Sequence, residues 1–168
     1  LIFLLIFFSC KQKSKNMNEV NSSNYVEYML AKVKHYDIEP EYLIRIGNNT
    51  MYEVLVNDIP VAKHYRETQL ISPIEINYAI LKSGPQKVTF RLYPFENKGF
   101  EDDSGINVRI LIRDKKDVNR LGLGKAPENL VLEKEIYIKK KGEKYYEGEI
   151  TFDAKIPYEN QGWNDGQD

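Results

Sequence analysis

Apolar and polar residues alternate with a period of two along much of the chain, and this pattern predicts β-strands. The clearest examples are segments 106–112 and 87–93, in which every second position is apolar and most of the others are polar. Such alternation is typical of a strand with one buried side and one solvent-facing side. In the second segment Phe90 shares the apolar side with Val88 and Leu92, so we expect it to be fully buried.

Two neighbouring strands are predicted around the sequence Gly-Asn-Asn at 47–49. Glycine and asparagine accept the positive φ that tight turns require, and segments 42–46 and 51–56 on either side carry alternating apolar residues. Segment 42–56 is therefore predicted to be a β-hairpin. Asn-Asp at 57–58, followed by Pro60, predicts a further turn.

Later segments extend the same pattern. A short strand is expected at 74–76, followed by a single helical turn over 78–81 capped by Asn77. Segments 131–138 and 145–156 are predicted to form a second hairpin through the lysine-rich connection 139–144. Two long polar connections remain, at 94–104 and 114–127.

One segment near the N-terminus has the spacing of a helix instead. Asn24 is placed to cap it, and Glu27 to reach back to the amide of the cap. The element is expected to end before Pro40, although a strand leading into Tyr36 is an alternative. Its apolar residues recur at i, i+3, i+4 and i+7, namely Val26, Met29, Leu30 and Val33.

The elements together predict a mainly β fold. We expect an antiparallel β-sandwich of about seven or eight strands, jelly-roll or Ig-like, behind a short N-terminal helix and a flexible tether. The turn and strand pattern over 56–92, with Ser-Gly-Pro at 83–85 before a central strand, resembles jelly-roll domains such as galactose-binding-like modules. That resemblance implies a fold and assigns no functional residue.

The first ten residues read LIFLLIFFSC, an apolar run that ends in Ser9 and the only cysteine of the chain. This segment resembles the end of a bacterial lipoprotein signal peptide. The resemblance implies a signal peptide over 1–9, lipid such as palmitate on Cys10, a tether over 10–23 and a folded domain over 24–168. Because the chain begins with Leu1 and not with Met, the start of the signal is expected upstream. The sequence also leaves open whether the native chain extends beyond residue 168.

A membrane-spanning helix is the alternative for the apolar run, but spanning takes about 20 apolar residues. Here three lysines follow Cys10 within five positions and end the run. The expected location is therefore the bacterial envelope, with a lipid anchor in the outer membrane and the domain facing the periplasm or the cell surface. A single cysteine also excludes an internal disulfide.

Charge and residue types narrow the classes of function. The chain has 24 basic and 25 acidic residues, whereas nucleic-acid binding needs a basic surface, so no nucleic-acid partner is expected. His35 and His64 lie in different predicted elements, and no G-x-S-x-G motif or zinc-ligand spacing is present. We therefore expect a protein that is not an enzyme, with no catalytic residue, metal or cofactor. The acidic residues 101–103 fit a solvated loop better than a calcium loop.

The aromatic residues around connection 94–104 are the candidate partner-binding residues: Tyr93, Phe95 and Phe100. Exposed aromatics anchor proteins or stack on sugars, but these residues can equally cap the core. The predicted function is a membrane-anchored binding domain that recognises a protein, either in an envelope complex or as an immunity-type protein. The alternative is a carbohydrate-binding module of a glycan-uptake system. Shared aromatic exposure on a concave sheet would favour glycan, and a flat patch with Phe95 and Phe100 in a loop would favour protein.

Overall fold

The structure is a computed structural model that describes residues 20–66, 73–95, 98–121, 127–139 and 141–161. The chain divides into two units, Leu1–His35 and Tyr36–Asp168. Among the described residues, the first unit contains one helix, α1 (Tyr25–Lys32), and the second contains all of the strands. No helix in the described residues is both long enough and apolar enough to cross a membrane.

The second unit is a sandwich of two antiparallel sheets with four strands each, which confirms the predicted fold class. Sheet A has the strand order β4-β1-β6-β7, and sheet B has the order β3-β2-β5-β8. The strands are β1 (Pro40–Asn48), β2 (Met51–Val56), β3 (Ile59–His64), β4 (Ile74–Glu75), β5 (Gly84–Tyr93), β6 (Gly105–Asp114), β7 (Asn129–Tyr137) and β8 (Tyr146–Ala154).

The core lies between the sheets and follows the alternation in the sequence. Phe90 is 1% exposed, as predicted, and its neighbours Val88 and Leu92 on the same side of β5 are fully buried. Burial of such side chains is the main favourable term in folding. Other large side chains that fill the same core are Tyr42, Tyr52, Ile44 and Ile110.

Both predicted hairpins are wrong, although the strands in them are right. β1 pairs with β4 and β6, while β2 pairs with β3 and β5, so the connection after β1 crosses from one sheet to the other. In the same way β7 pairs with β6 and β8 pairs with β5. Alternation shows which side of a strand is buried, but in a sandwich both sheets bury one side. It therefore cannot tell a hairpin from a crossing between sheets.

The asparagines at the first crossing brace it through their side chains. Asn49 Oδ1 accepts a hydrogen bond from the Gly105 amide at 2.8 Å, and Asn48 Nδ2 donates to the Thr50 carbonyl at 2.7 Å. Positive φ occurs one connection later, at Asn57 (49°) and Asp58 (67°), where β2 and β3 form a tight hairpin. The turn predicted at 57–58 is therefore confirmed.

The helical predictions hold in part. The predicted helix is α1, but it ends at Lys32, and Pro40 begins β1. Asn24 is its N-cap residue without a capping hydrogen bond, because Asn24 Oδ1 accepts from the Asn21 amide instead, at 2.8 Å. The apolar side of this helix is exposed, with Val26 at 67%.

Connection 114–127 contains a helix that was not predicted from the sequence, α2 (Lys115–Leu121). Asp114 precedes it, and its Oδ1 accepts a hydrogen bond from the Lys116 amide at 3.0 Å. The turn predicted over 78–81 is a 3-10 helix at Asn77–Ala79. The Asn77 side chain holds β1 instead of capping that turn: its Oδ1 accepts from the Tyr42 amide at 2.6 Å.

Candidate functional site

The three predicted partner-binding residues occupy three different environments. Phe100 is 1% exposed and belongs to the core, so of the two roles that the sequence left open it has the core-capping one and is not available to a partner. Its amide donates to the Glu143 carbonyl at 2.9 Å, and its carbonyl accepts from the Gly142 amide at 3.0 Å. These two bonds pair the backbone of Phe100 with residues 142 and 143, and this pairing fixes the connection where Phe100 enters the core. Among the described residues no ring contact joins any two of Tyr93, Phe95 and Phe100.

Phe95 is half-buried and lines a shallow cleft of about 350 Å³ beside Pro94 and Lys98. The acidic residues nearby are engaged in ion pairs. Lys141 Nζ lies 3.0 Å from Asp102 Oδ2 and 3.9 Å from Glu101 Oε2. Across the described part of the chain, no group of three or more His, Cys, Asp or Glu residues could hold a metal ion.

Tyr93 lies on the outer face of sheet B, because it alternates with the buried residues of β5. The strand register places four charged residues in one line across this face. Lys63 of β3 is opposite Glu53 of β2, Glu53 is opposite Arg91 of β5, and Arg91 is opposite Glu147 of β8. We name this line, consisting of Lys63, Glu53, Arg91 and Glu147, the charge row.

Each neighbour in the charge row forms an ion pair. Lys63 Nζ is 3.2 Å from Glu53 Oε1, and Arg91 Nε donates to Glu147 Oε2 at 2.8 Å. The other carboxylate oxygen of Glu53 lies 3.8 Å from an Arg91 amino nitrogen. Arg91 therefore bridges the two glutamates, and the row alternates in sign.

Three tyrosines form a second line beside the charge row. Each of them lies two residues along the chain from a member of that row. The Tyr93 ring centroid is 6.0 Å from that of Tyr65 and 5.6 Å from that of Tyr145. The outer rings are 45% and 46% exposed, and Tyr93 between them is half-buried. We name Tyr65, Tyr93 and Tyr145 the tyrosine row.

Hydrogen bonds connect the two rows at both ends. The Tyr65 hydroxyl donates to Glu53 Oε1, and the Tyr145 hydroxyl donates to Glu147 Oε2 at 2.5 Å. Lys63 Nζ lies 4.7 Å from the centre of the Tyr65 ring, a cation–π distance. The outer tyrosines are therefore oriented by the same carboxylates that Arg91 bridges.

The titration of the site follows from these contacts. The Tyr65 hydrogen bond, then Lys63 and Arg91, lower the pKa of Glu53 below its ordinary 4.5. The Tyr145 hydrogen bond, followed by that from Arg91, lowers the pKa of Glu147 in the same way. Burial, and the nearby charge of Glu53, raise the pKa of Tyr93. At neutral pH the neutral phenols of Tyr93 and Tyr145 thus lie beside the ionised carboxylates of Glu53 and Glu147.

The layer beneath the site is close-packed. Gly148 of β8 is opposite Phe90 of β5, and a Cβ added there would lie 2.5 Å from the Phe90 ring. The Phe90 ring fills that space and stacks on Tyr146, with centroids 6.3 Å apart and an interplanar angle of 16°. Sheet B therefore holds both rows on a rigid support.

Of the site, the sequence prediction found only Tyr93. Tyr65 follows β3 in a segment read as polar, and Tyr145 precedes the apolar positions of β8. The available signal was the polar side of the alternation: Arg91 and Tyr93 face outward together, as do Tyr145 and Glu147. Joining these pairs requires the strand order, which alternation does not give.

The predicted signal peptide, Cys10 and most of the tether lie outside the described residues. A scan against protein-family models finds no match to the chain, and searches of curated proteins and of solved structures find none either.

Proposed function

We propose that this chain is a non-catalytic binding domain that recognises a glycan through the tyrosine row, with lipid on Cys10 anchoring it to the bacterial envelope. The observation that carries the proposal is the pairing of the two rows on one exposed sheet face. Three ring centroids in succession, at spacings of 6.0 and 5.6 Å, lie beside a line of fixed carboxylate and guanidinium groups.

The chemistry of a sugar matches both rows. A pyranose ring carries a patch of C–H groups on its flat side, which packs on an aromatic ring, and it carries hydroxyls around its edge. Tyrosine offers a large apolar face together with a polar tip, so it suits a ligand of this mixed character. Carboxylate and guanidinium groups hydrogen-bond paired hydroxyls with defined geometry. The hydrogen bonds that Tyr65 and Tyr145 donate to Glu53 and Glu147 already orient the outer rings, which reduces the entropy lost on binding.

The carboxylates of the site fit binding better than hydrolysis. A glycosidase of the common type uses a pair of carboxyl groups, one of which needs a raised pKa to act as the acid. Here the pKa values of Glu53 and Glu147 are both lowered by hydrogen bonds and by Arg91. Neither residue is suited to donate a proton at neutral pH, so we assign them to orientation and recognition.

Isothermal titration of the purified chain against soluble polysaccharides tests the proposal. For a polymer that binds, Tyr93→Ala is expected to weaken the affinity about tenfold or more, the factor that corresponds to ~1.4 kcal/mol. Tyr137→Ala is the matched control, since Tyr137 is an exposed tyrosine at the edge of sheet A. A melting curve of each variant separates lost contact from lost folding. Equal affinities for the wild type and Tyr93→Ala would remove the tyrosine row from the function.

A protein partner is the second candidate, and one observation favours it. Strand β7 is the outer strand of sheet A, and it exposes Leu130 (56%) and Tyr137 (61%). Open strand edges accept further strands. Lys134 weakens this candidate, because it is opposite buried Val108 and thus puts a charge on the inward side of the edge strand, a feature that discourages pairing with other chains. If envelope extract slows hydrogen exchange at the β7 amides and leaves the tyrosine row unaffected, a protein partner is favoured.

The lipid anchor is supported by the sequence LIFLLIFFSC alone. One acyl chain gives only marginal membrane binding, so several chains on Cys10 are expected. When the chain is expressed with a complete signal, the wild type should partition into detergent and Cys10→Ser should remain in the aqueous phase. Equal partitioning of the two proteins would contradict the anchor.

A further inference from the structure

We infer that the site accepts a single chain of uncharged glycan and discriminates against anionic glycans and against flat crystalline polysaccharide. The inference rests on the proposed function and adds the class of ligand. Two features of the described surface carry it: the internal pairing of every charge in the charge row, and the angles between the rings of the tyrosine row.

The cations of this face are already matched to carboxylates. Lys63 pairs with Glu53 at 3.2 Å, and Arg91 pairs with Glu147 at 2.8 Å. Lys87, which lies on the same side of β5 as Arg91, pairs with Asp58 at 2.8 Å. A uronate or sulfate brought to this face would meet ionised carboxylates and would have to displace one of them to reach a cation. Like charges placed together across an interface disfavour the complex, so electrostatics select against an anionic ligand.

A neutral hydroxyl does not meet this obstacle. A carboxylate paired with arginine keeps free lone pairs, and a guanidinium has five N–H donors in a fixed plane. Glu53, Arg91 and Glu147 can therefore hydrogen-bond sugar hydroxyls without breaking the ion pairs among themselves. Binding should accordingly depend only weakly on salt, in contrast to a site that neutralises a charged polymer.

The rings also indicate the physical form of the ligand. The planes of Tyr65 and Tyr93 are inclined by 76°, and those of Tyr93 and Tyr145 by 50°. A flat crystalline surface can lie against several rings at once only if those rings are coplanar. A single glycan chain can rotate about its linkages and present successive residues at different angles. The hydroxyl hydrogen bonds of Tyr65 to Glu53 and of Tyr145 to Glu147 help to hold the outer rings in these orientations.

The decisive experiment uses matched polymers. The purified chain is titrated with soluble neutral glucan, xylan, mannan and galactan, each beside its carboxymethylated derivative, and is mixed with crystalline cellulose and crystalline chitin. At least one neutral polymer is expected to bind, and its carboxymethylated form should bind about tenfold more weakly, the effect of ~1.4 kcal/mol of repulsion. Little protein should sediment with either crystalline material.

A charge variant makes the test specific to the charge row. The double substitution Glu53→Gln and Glu147→Gln keeps the shape of both side chains and frees Arg91 and Lys63 from their partners. It should bring the affinity for the carboxymethylated polymer up to or above that for the neutral one. Glu133→Gln and Glu135→Gln together serve as a control that removes two carboxylates from β7 in sheet A, and this pair should leave the preference unchanged.

The outcomes separate the two claims. If no polymer binds, the proposed function fails and the inference falls with it. If a neutral polymer binds but its carboxymethylated form binds equally well or better, the proposed function stands and the inference about charge is overturned. Strong sedimentation with a crystalline polysaccharide would overturn the inference about a single chain.

Discussion

The two outer faces of the sandwich carry similar charged ladders but differ in how they cover the sheet. On sheet A, Arg113 pairs with Glu41, and their side chains are only 15% and 9% exposed. Below this ladder the outward-facing Leu43 and Leu111, which are opposite each other in the register, are buried. On sheet B the ion pair between Arg91 and Glu147 is 40% and 43% exposed.

This difference shows that Arg–Glu ion pairs can either cover the outer face of a sheet or leave that face exposed. On sheet A, Arg113 and Arg45 both reach Glu128, at 3.6 and 3.2 Å, and the charged side chains lie over leucines as a cover. On sheet B the ladder stands beside tyrosines, whose faces remain accessible. We therefore assign a structural role to the sheet A ladder and a recognition role to the charge row, and the following substitutions test that assignment.

The largest effect is expected when the support of sheet B is removed. Phe90→Ala leaves a cavity under Arg91 and Tyr93, and emptying such a site costs about 3–5 kcal/mol of unfolding free energy. Phe100→Ala should fall in the same range because Phe100 is equally buried. Urea unfolding curves measure both. A loss below about 1 kcal/mol, the scale of a surface substitution, would mean that the side chain is not in the core.

The next effect compares the two ladders through one kind of substitution. Arg113→Ala leaves the mostly buried carboxylate of Glu41 without its partner and should cost about 3 kcal/mol of stability, the low end for breaking a buried pair. Arg91→Ala breaks exposed pairs and should cost less than about 1 kcal/mol. For glycan affinity the order should reverse, with only Arg91→Ala weakening it. Equal stability losses in the two variants would remove the distinction between the faces.

The smallest effect is a dependence on pH. The pKa values of Glu53 and Glu147 are lowered in the folded protein, so the unfolded chain binds more protons in the acid range. Their contribution to stability is present above the ordinary value of 4.5 and is lost as the pH falls through the lowered folded-state values. The melting temperature should therefore decrease below that pH, and decrease less in the double variant Glu53→Gln, Glu147→Gln. Parallel pH profiles would contradict this origin.

Local patterns were sufficient to predict the strands of this sandwich. Alternation located β5 and β6 and the buried side of each, and the Asn-Asp turn before Pro60 was found from its residue types. Pairing was not predictable in this way, since β1 and β2 look like a hairpin although they belong to different sheets. Phe100 looked exposed among charged neighbours because its inward course depends on hydrogen bonds to 142–143, which are distant in sequence.

The candidate binding surface could not be predicted from the sequence for a related reason. Tyr65, Tyr93 and Tyr145 come from three places in the chain, and only the strand order β3-β2-β5-β8 brings them together. The sequence gives little information about which outward-facing residues form a site, because most side chains are tolerated in solvent. Alternation shows only that such positions are more polar than the buried ones. The candidate site therefore depends on the sheet as a whole, whereas the core follows from each strand separately.

The most direct test of the tyrosine row is an NMR titration of the chain with its tyrosine rings isotope-labelled and assigned by single Tyr→Phe substitutions. Addition of a neutral glycan that binds should shift the ring signals of Tyr65, Tyr93 and Tyr145 together, with one common dissociation constant. The signals of Tyr78 and Tyr137, which are exposed elsewhere on the sandwich, should remain in place. Shifts confined to Tyr137, with the three ring signals unchanged at saturation, would contradict binding at this face of sheet B.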